Sequence, residues 1–207
     1  AVIFDFDGTL VDTMGGFADL AADIMHRRFG TEARVARRRY LETSGLPFRQ
    51  QLEIMYPNDS RNDDASAEFE AAKQESFFSE TFGEDVKSTI EQLRERGYLV
   101  MVSSNNRQEL VDRFVAREPD VKFHEVLGAR ANFFKGQDHF NYIREKFGIG
   151  EDEMVFVGDS LKDAERALSS HVRFVGKLGT FGRTDFESQF PGVPTISSLS
   201  ELTKVFQ

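Results

Sequence analysis

A parallel α/β sheet covered by helices on both faces, with an all-helical insert near its start, is the fold that this sequence predicts. Two observations carry that expectation. Five short apolar runs rich in β-branched and aromatic residues alternate with helical patterns, the signature of strands buried on both faces. Between the first run and the second, from Gly15 to about Phe82, no convincing strand occurs. The length of 207 residues suits one large domain or a domain carrying a smaller insert.

The first run is Val2-Ile3-Phe4, followed at once by Asp5-Phe6-Asp7-Gly8-Thr9. The insert then opens with Phe17, Leu20, Ala21, Ile24 and Met25 at helical spacing, stopped by Gly30. A second helix is expected over Glu32 to Thr43, a third after Pro47 and a fourth across Ala67 to Phe82, with a loop over residues 57–64. Beyond Gly83, Val86, Ile90 and Leu93 mark a helix that ends at Gly97, and Tyr98 to Val102 reads as a buried strand. Asn106 with Glu109 has the spacing of a capping box and opens the next helix, through Leu110, Val111 and Phe114. A short strand near Phe123 to Leu127 and a helix bearing Phe140, Ile143 and Phe147 follow. Met154 to Gly158 is the fourth strand, Ser160 opens a helix, and Val172 to Val175 is the fifth strand. A last helix is expected from Ser198, with Leu199, Leu202 and Phe206 on one face.

Composition removes several classes of function. The chain has no Cys, which excludes thiol catalysis, Cys-based zinc sites and disulfides. A net charge of −9 repels polyanions, so nucleic acid is not an expected partner. No apolar run approaches the roughly 20 residues of a membrane helix, and no secretion pattern opens the chain, so a soluble cytoplasmic protein without a membrane partner is expected. No Walker loop or GxGxxG stretch is present. His26, His124, His139 and His171 lack ligand spacing and read as core or surface residues.

In such a sheet, ligands bind beyond the carboxyl ends of the strands. The residues there are Asp5 and Asp7, Ser103 and Ser104, and Asp159. Two residues apart on an extended chain, the Asp5 and Asp7 Cα atoms are roughly 7 Å apart with both side chains on one side. Two such acids repel unless a cation lies between them, and a hard divalent ion such as Mg²⁺ prefers carboxylate oxygens. The same five residues also suit a simple turn. Asp163 lies one helical turn beyond Asp159, where capping from Ser160 and metal ligation are both open readings. Lys135 is a lone cation among Phe133, Phe134 and Gly136.

These motifs, in this order, resemble those of the haloacid dehalogenase superfamily of phosphohydrolases. Asp5-Phe6-Asp7-Gly8-Thr9-Leu10-Val11-Asp12-Thr13 is similar to its first motif nearly letter for letter, Val102-Ser103-Ser104-Asn105 to its second, Lys135 to its third, and Gly158-Asp159-Ser160-x-x-Asp163 to its fourth. The resemblance, in particular to the subfamily of phosphoglycolate phosphatases and β-phosphoglucomutases, implies a Rossmann-like core of residues 1–14 and 83–207 and a small helical cap of residues 15–82. It further implies that Asp5 is the nucleophile that becomes an aspartyl-phosphate and that Asp7 is the general acid and base. Ser103, Ser104 and Asn105 would hold the phosphoryl group, and Lys135 would neutralise it. Mg²⁺ would be held by Asp5, Asp7 through its carbonyl, and Asp159, with Asp163 in support. Arg49, in a stretch like the cap's specificity loop, is the candidate for a second contact to substrate. The implied activity is hydrolysis of a small phosphorylated metabolite, of sugar phosphate or phosphoglycolate type, by a monomer or small homo-oligomer. The alternatives are a sugar phosphomutase and a catalytically silent phosphate binder.

Overall fold

The computed structural model describes residues 1–205, apart from the side chains of Glu75, Ser76 and Lys204. The chain divides into two compact units, one of Ala1–Val11 with Thr81–Gln207 and one of Asp12–Glu80.

The first unit is a parallel six-stranded sheet in the order β3-β2-β1-β4-β5-β6. Its strands are β1 (Val2–Phe4), β2 (Val100–Arg107), β3 (Glu125–Ala129), β4 (Val155–Gly158), β5 (Arg173–Lys177) and β6 (Thr195–Ile196). The predicted α/β class with a parallel sheet is therefore observed. The sixth strand, two residues long, is an addition to the five expected; it is too short to leave a periodic trace in the sequence. Helices α5 (Glu84–Glu95), α6 (Gln108–Ala116), α7 (Gln137–Phe147), α8 (Leu161–Ser169), α9 (Arg183–Gln189) and α10 (Leu202–Val205) accompany the sheet. The expected last helix begins as a single 3₁₀ turn over Leu199–Glu201, and Phe206, assigned to its apolar face, lies outside the described residues.

Strand β1 is central, and all three of its residues are buried, each such side chain contributing about 1.5–3 kcal/mol of hydrophobic stabilisation. Ile3 packs in one continuous core with Met101, Leu127, Phe140, Ile143, Phe156 and Phe174. Phe6 turns to another cluster, edge-to-face with Phe82 and Phe114 at 6.0 and 5.1 Å between centroids. Aromatic pairs in this arrangement contribute more than area burial alone.

Strand β2 does not end at Val102, where the apolar run stops. Ser103 faces Leu127 of β3 and Arg107 faces Ala129, so four steps on β2 advance against two on β3. The chain bulges between them. Past the bulge the side chain of Gln108 stands in for main chain: its amide accepts from Gly128 N–H at 2.7 Å and donates to the Val126 carbonyl at 2.9 Å. The expected capping by Asn106 is not what forms. Helix α6 starts at Gln108 with Arg107 as its N-cap and no side-chain cap, because Asn106 is still within the strand.

The second unit holds α1 (Met14–Phe29), α2 (Ala33–Glu42), α3 (Phe48–Met55) and α4 (Asn62–Phe77). Phe17, Tyr40, Phe48 and Phe69 pack together in its interior, with Phe48 and Phe69 at 4.3 Å between centroids. Helix α4 starts five residues before the expected position. Asn62 is fully buried and donates to the Tyr56 carbonyl at 2.8 Å, which draws the supposed loop residues 62–64 into the first turn.

Candidate active site

The register places the first acid. Phe4 pairs with Val102 on one side and Val157 on the other, so Asp5 is level with Ser103 and Gly158 at the carboxyl ends of three adjacent strands. The Asp5 main chain remains in the sheet, its N–H donating to the Val157 carbonyl at 2.8 Å. Its buried side chain accepts from Lys135 Nζ at 2.6 Å.

Lys135 reaches the centre of the site from the loop that precedes α7. Phe134 N–H donates to the Asp138 carboxylate at 2.9 Å, which fixes that loop against the helix start. The ammonium passes 5.6 Å from the centre of the Phe156 ring and also meets Asp163 at 2.7 Å. Burial works against its charge, but the carboxylates of Asp163 and Asp5 outweigh that cost and hold its pKa above the ordinary lysine value. It is a permanently charged lysine buried between two acids.

Asp163 sits in the first turn of α8 and does what a capping residue does. Its N–H donates to Ser160 Oγ at 3.1 Å, and Ser160 Oγ–H donates to its carboxylate at 2.7 Å. Gly158 lets this turn come close: a Cβ there would lie 2.8 Å from Asp163 Cβ, so any larger residue would force β4 and α8 apart. Asp159, also buried, accepts from Thr180 Oγ1 at 2.7 Å.

Carboxylate oxygens of Asp5, Asp159 and Asp163 lie within 4.8 Å of one another. Fully ionised, three acids and Lys135 leave an uncompensated negative charge in a desolvated site. The titration of the acids reflects it. Burial, opposed by Lys135 and reinforced by Asp163 and Asp159, raises the Asp5 pKa well above the usual carboxylate range. Burial with the charge of Asp163 pushes Asp159 up to about 7. A hard divalent cation relieves the same repulsion with oxygen donors suited to it, so the residues present fit Mg²⁺.

The remaining site candidates divide. Ser103 is fully buried and hydrogen bonded to His139 Nδ1 at 2.8 Å. His139 was read from sequence as an ordinary core or surface residue; its ring lies against Phe133 at 4.6 Å, and burial with the nearby Lys135 charge lowers its pKa to about 4. Ser104 Oγ accepts from Asn106 N–H at 3.0 Å. Asn105 is exposed, whereas its neighbour Asn106 is buried and donates to Asp7 Oδ2 at 2.7 Å. The Asp7 carboxylate thus turns to β2 and is not among the three that converge. Arg49 belongs to the helical unit, where its guanidinium is engaged by Asp63 and by Glu53 at 2.7 Å. Asn106, His139 and Thr180 escaped the sequence reading. Extending the strand past Ser104 in strict alternation, which buries Asn106 and exposes Asn105, is the reading that would have drawn notice to Asn106.

A family model for haloacid dehalogenase-like hydrolases matches residues 2–177, and the chain belongs to that family. Among individual relatives, it is 29% identical over 89 residues to the phosphoglycolate phosphatase of Aliivibrio fischeri, a match spanning 42% of this chain and 39% of that protein. The chain thus aligns with well under two thirds of that relative. Its fold is shared with a haloacid dehalogenase-like hydrolase from Streptococcus pneumoniae (TM-score 0.80, 14% identity, covering 100% of this chain and 97% of that one). A subfamily IA hydrolase from Geobacter sulfurreducens is also similar (TM-score 0.65, 22% identity, covering 100% and 95%). Among the described residues no helix is long and apolar enough to cross a membrane.

Proposed function

We propose that the protein is a Mg²⁺-dependent phosphatase acting on a small phosphorylated metabolite, phosphoglycolate or a sugar phosphate, through an aspartyl-phosphate on Asp5. The observation that carries this reading is the buried Asp5 carboxylate, held by Lys135 beside two further acids at the strand ends. A carboxylate nucleophile splits a difficult displacement into formation and hydrolysis of an acyl phosphate. Lys135 fixes the attacking group and supplies fixed positive charge where the phosphoryl oxygens gather charge. Ser103 and the main chain of Ser104 would hold those oxygens. Asp7, two residues beyond the nucleophile, gives its proton to the leaving alcohol and recovers one from the water that attacks the acyl phosphate. Asp5, Asp159 and the Asp7 carbonyl would hold Mg²⁺, with Asp163 supporting through Lys135; the ion supplies charge neutralisation that draws the anionic group to Asp5.

The test is phosphate release from a panel of phosphorylated metabolites with Mg²⁺, with Asp5→Asn as control. Release that vanishes in the folded variant supports the reading. Near-normal turnover in Asp5→Asn removes Asp5 as nucleophile, and conversion of a sugar phosphate to its isomer without phosphate release replaces the phosphatase with a mutase.

A further inference from the structure

The Asp7 side chain has a partner that the motif itself does not include. Asn106 lies ninety-nine residues away in sequence, is 6% exposed, and directs its amide Nδ2–H to Asp7 Oδ2 at 2.7 Å. A surface asparagine has no reason to be held so closely, yet three features fix this one. Strand β2 runs on past Ser104 with the alternation kept, so that Ser104 and Asn106 are buried while Asn105 and Arg107 are exposed. Its own N–H is tied to Ser104 Oγ at 3.0 Å. Its carbonyl comes so close to β3 that a Cβ at Gly128 would lie 2.8 Å from that oxygen, an approach only glycine permits.

We infer that Asn106 is a positioning residue for Asp7, holding Oδ2 so that the transferable proton is carried on Oδ1. The chemistry follows from the donor inventory. An amide N–H can be accepted only by an oxygen that bears no proton along that direction, so a proton on the Asp7 carboxyl resides on the other oxygen. When the ester P–O bond breaks, that proton passes from Oδ1 to the leaving oxygen, and the carboxylate left behind keeps its hydrogen bond from Asn106. In the second half-reaction the proton lost by the attacking water returns to Oδ1. Asn106 contributes no proton and touches no reacting atom. Its effect is to remove rotation about the Asp7 side chain, so that one oxygen is presented throughout both steps.

This inference rests on the proposed acid and base role of Asp7, and the experiment separates the two. Wild type, Asp7→Asn, Asn106→Ala and the isosteric Asn106→Asp are compared on p-nitrophenyl phosphate and on phenyl phosphate with Mg²⁺. These substrates are both aryl phosphate monoesters differing by one para-nitro group, but p-nitrophenolate leaves readily as an anion while the phenolate gains far more from protonation. A general acid contributes about 10²–10⁴-fold, so loss of its alignment should cost about tenfold more on phenyl phosphate than on the nitrophenyl ester. Both Asn106 variants, assayed as folded proteins well below their thermal midpoints, should show that selective loss in kcat, less severely than Asp7→Asn. Equal losses on the two substrates in both Asn106 variants, while Asp7→Asn remains selective, overturn the inference for Asn106. Equal losses in Asp7→Asn overturn the role of Asp7 beneath it.

Discussion

His139 should make the stability of the protein fall on the acid side of neutrality, by an amount that the structure sets. Its imidazole is fully buried against Phe133 and Ser103, and its pKa is lowered from 6.5 to about 4 by burial and by the Lys135 charge. In the unfolded chain it takes up a proton near its ordinary value. A group whose folded pKa lies below its unfolded one contributes stability that is full above the unfolded value and lost as pH falls through the folded one. At about 1.4 kcal/mol per unit, the whole contribution is about 3 kcal/mol, of which about 2 kcal/mol is gone by pH 5. Asp159 works the other way. Its raised folded pKa makes the folded state bind more protons between about 4 and about 7, so lowering the pH stabilises through this group. The two trends oppose each other in the wild type, which is why the measurement is a difference. His139→Gln keeps a polar group beside Ser103 and removes only the titration. Urea unfolding of both proteins from pH 8 to pH 4 should show the wild-type advantage shrinking by about 2 kcal/mol between pH 7.5 and pH 5, or roughly 4–8 °C in thermal midpoint. Parallel profiles for the two proteins would refute the reasoning, because they would mean that His139 takes up its proton equally in both states.

Three other outcomes are expected. Lys135→Met removes the cation from a buried pair of acids and should cost about 3–5 kcal/mol at neutral pH, less as acid protonates the partners, with turnover lost under all conditions; urea titrations at two pH values check it, and a pH-independent cost would mean that Asp5 and Asp163 do not depend on this charge. Gly158→Ala drives a methyl group to 2.8 Å from Asp163 Cβ, so strain of about 1–3 kcal/mol is expected together with reduced activity, measured by unfolding and by phosphate release; an unperturbed variant would show that α8 can retreat freely. Mg²⁺ at a hundred times its dissociation constant should stabilise the wild type by about 2.7 kcal/mol, and Asp159→Asn should abolish most of that gain. A wild-type melting curve indifferent to Mg²⁺ and to EDTA would contradict the fit of the three acids to a divalent ion.

The parts of the fold that sequence made legible are those in which local and global preferences coincide. Val2-Ile3-Phe4, Met101-Val102 and Val155-Phe156-Val157 are apolar on both faces because both faces are covered, and no other environment suits such runs. The acids at Asp5 and Asp159 follow from the same logic, since residues that leave a buried strand for its carboxyl end are where polarity is affordable. What stayed hidden depends on irregularity or on distance. Asn106 looked like a helix cap because Glu109 stands three residues on, but the strand continues through it. Because the strand continues, its alternation buries Asn106 and leaves the expected Asn105 exposed. His139 carries no spacing signal, because its partner Ser103 lies thirty-six residues earlier on another element. Residues 62–64 looked like loop because Asn and Asp favour turns, and it took the burial of Asn62 beneath Tyr56 to make them helical.

The side-chain amide of Gln108 has a consequence for how this molecule can change. A primary amide carries the same donor and acceptor as a peptide group, and here it answers the N–H of Gly128 and the carbonyl of Val126 where main chain has turned aside. Hydrogen bonding to β3 is therefore carried past the point where the register of β2 shifts. The short stretch between Ser103 and Gln108 behaves as a removable panel in the wall of the barrelless sheet: substitutions there can redraw what faces Asp7 while the seam between β2 and β3 stays closed. Variation in chemistry at this edge is thereby insulated from the integrity of the framework that supports it.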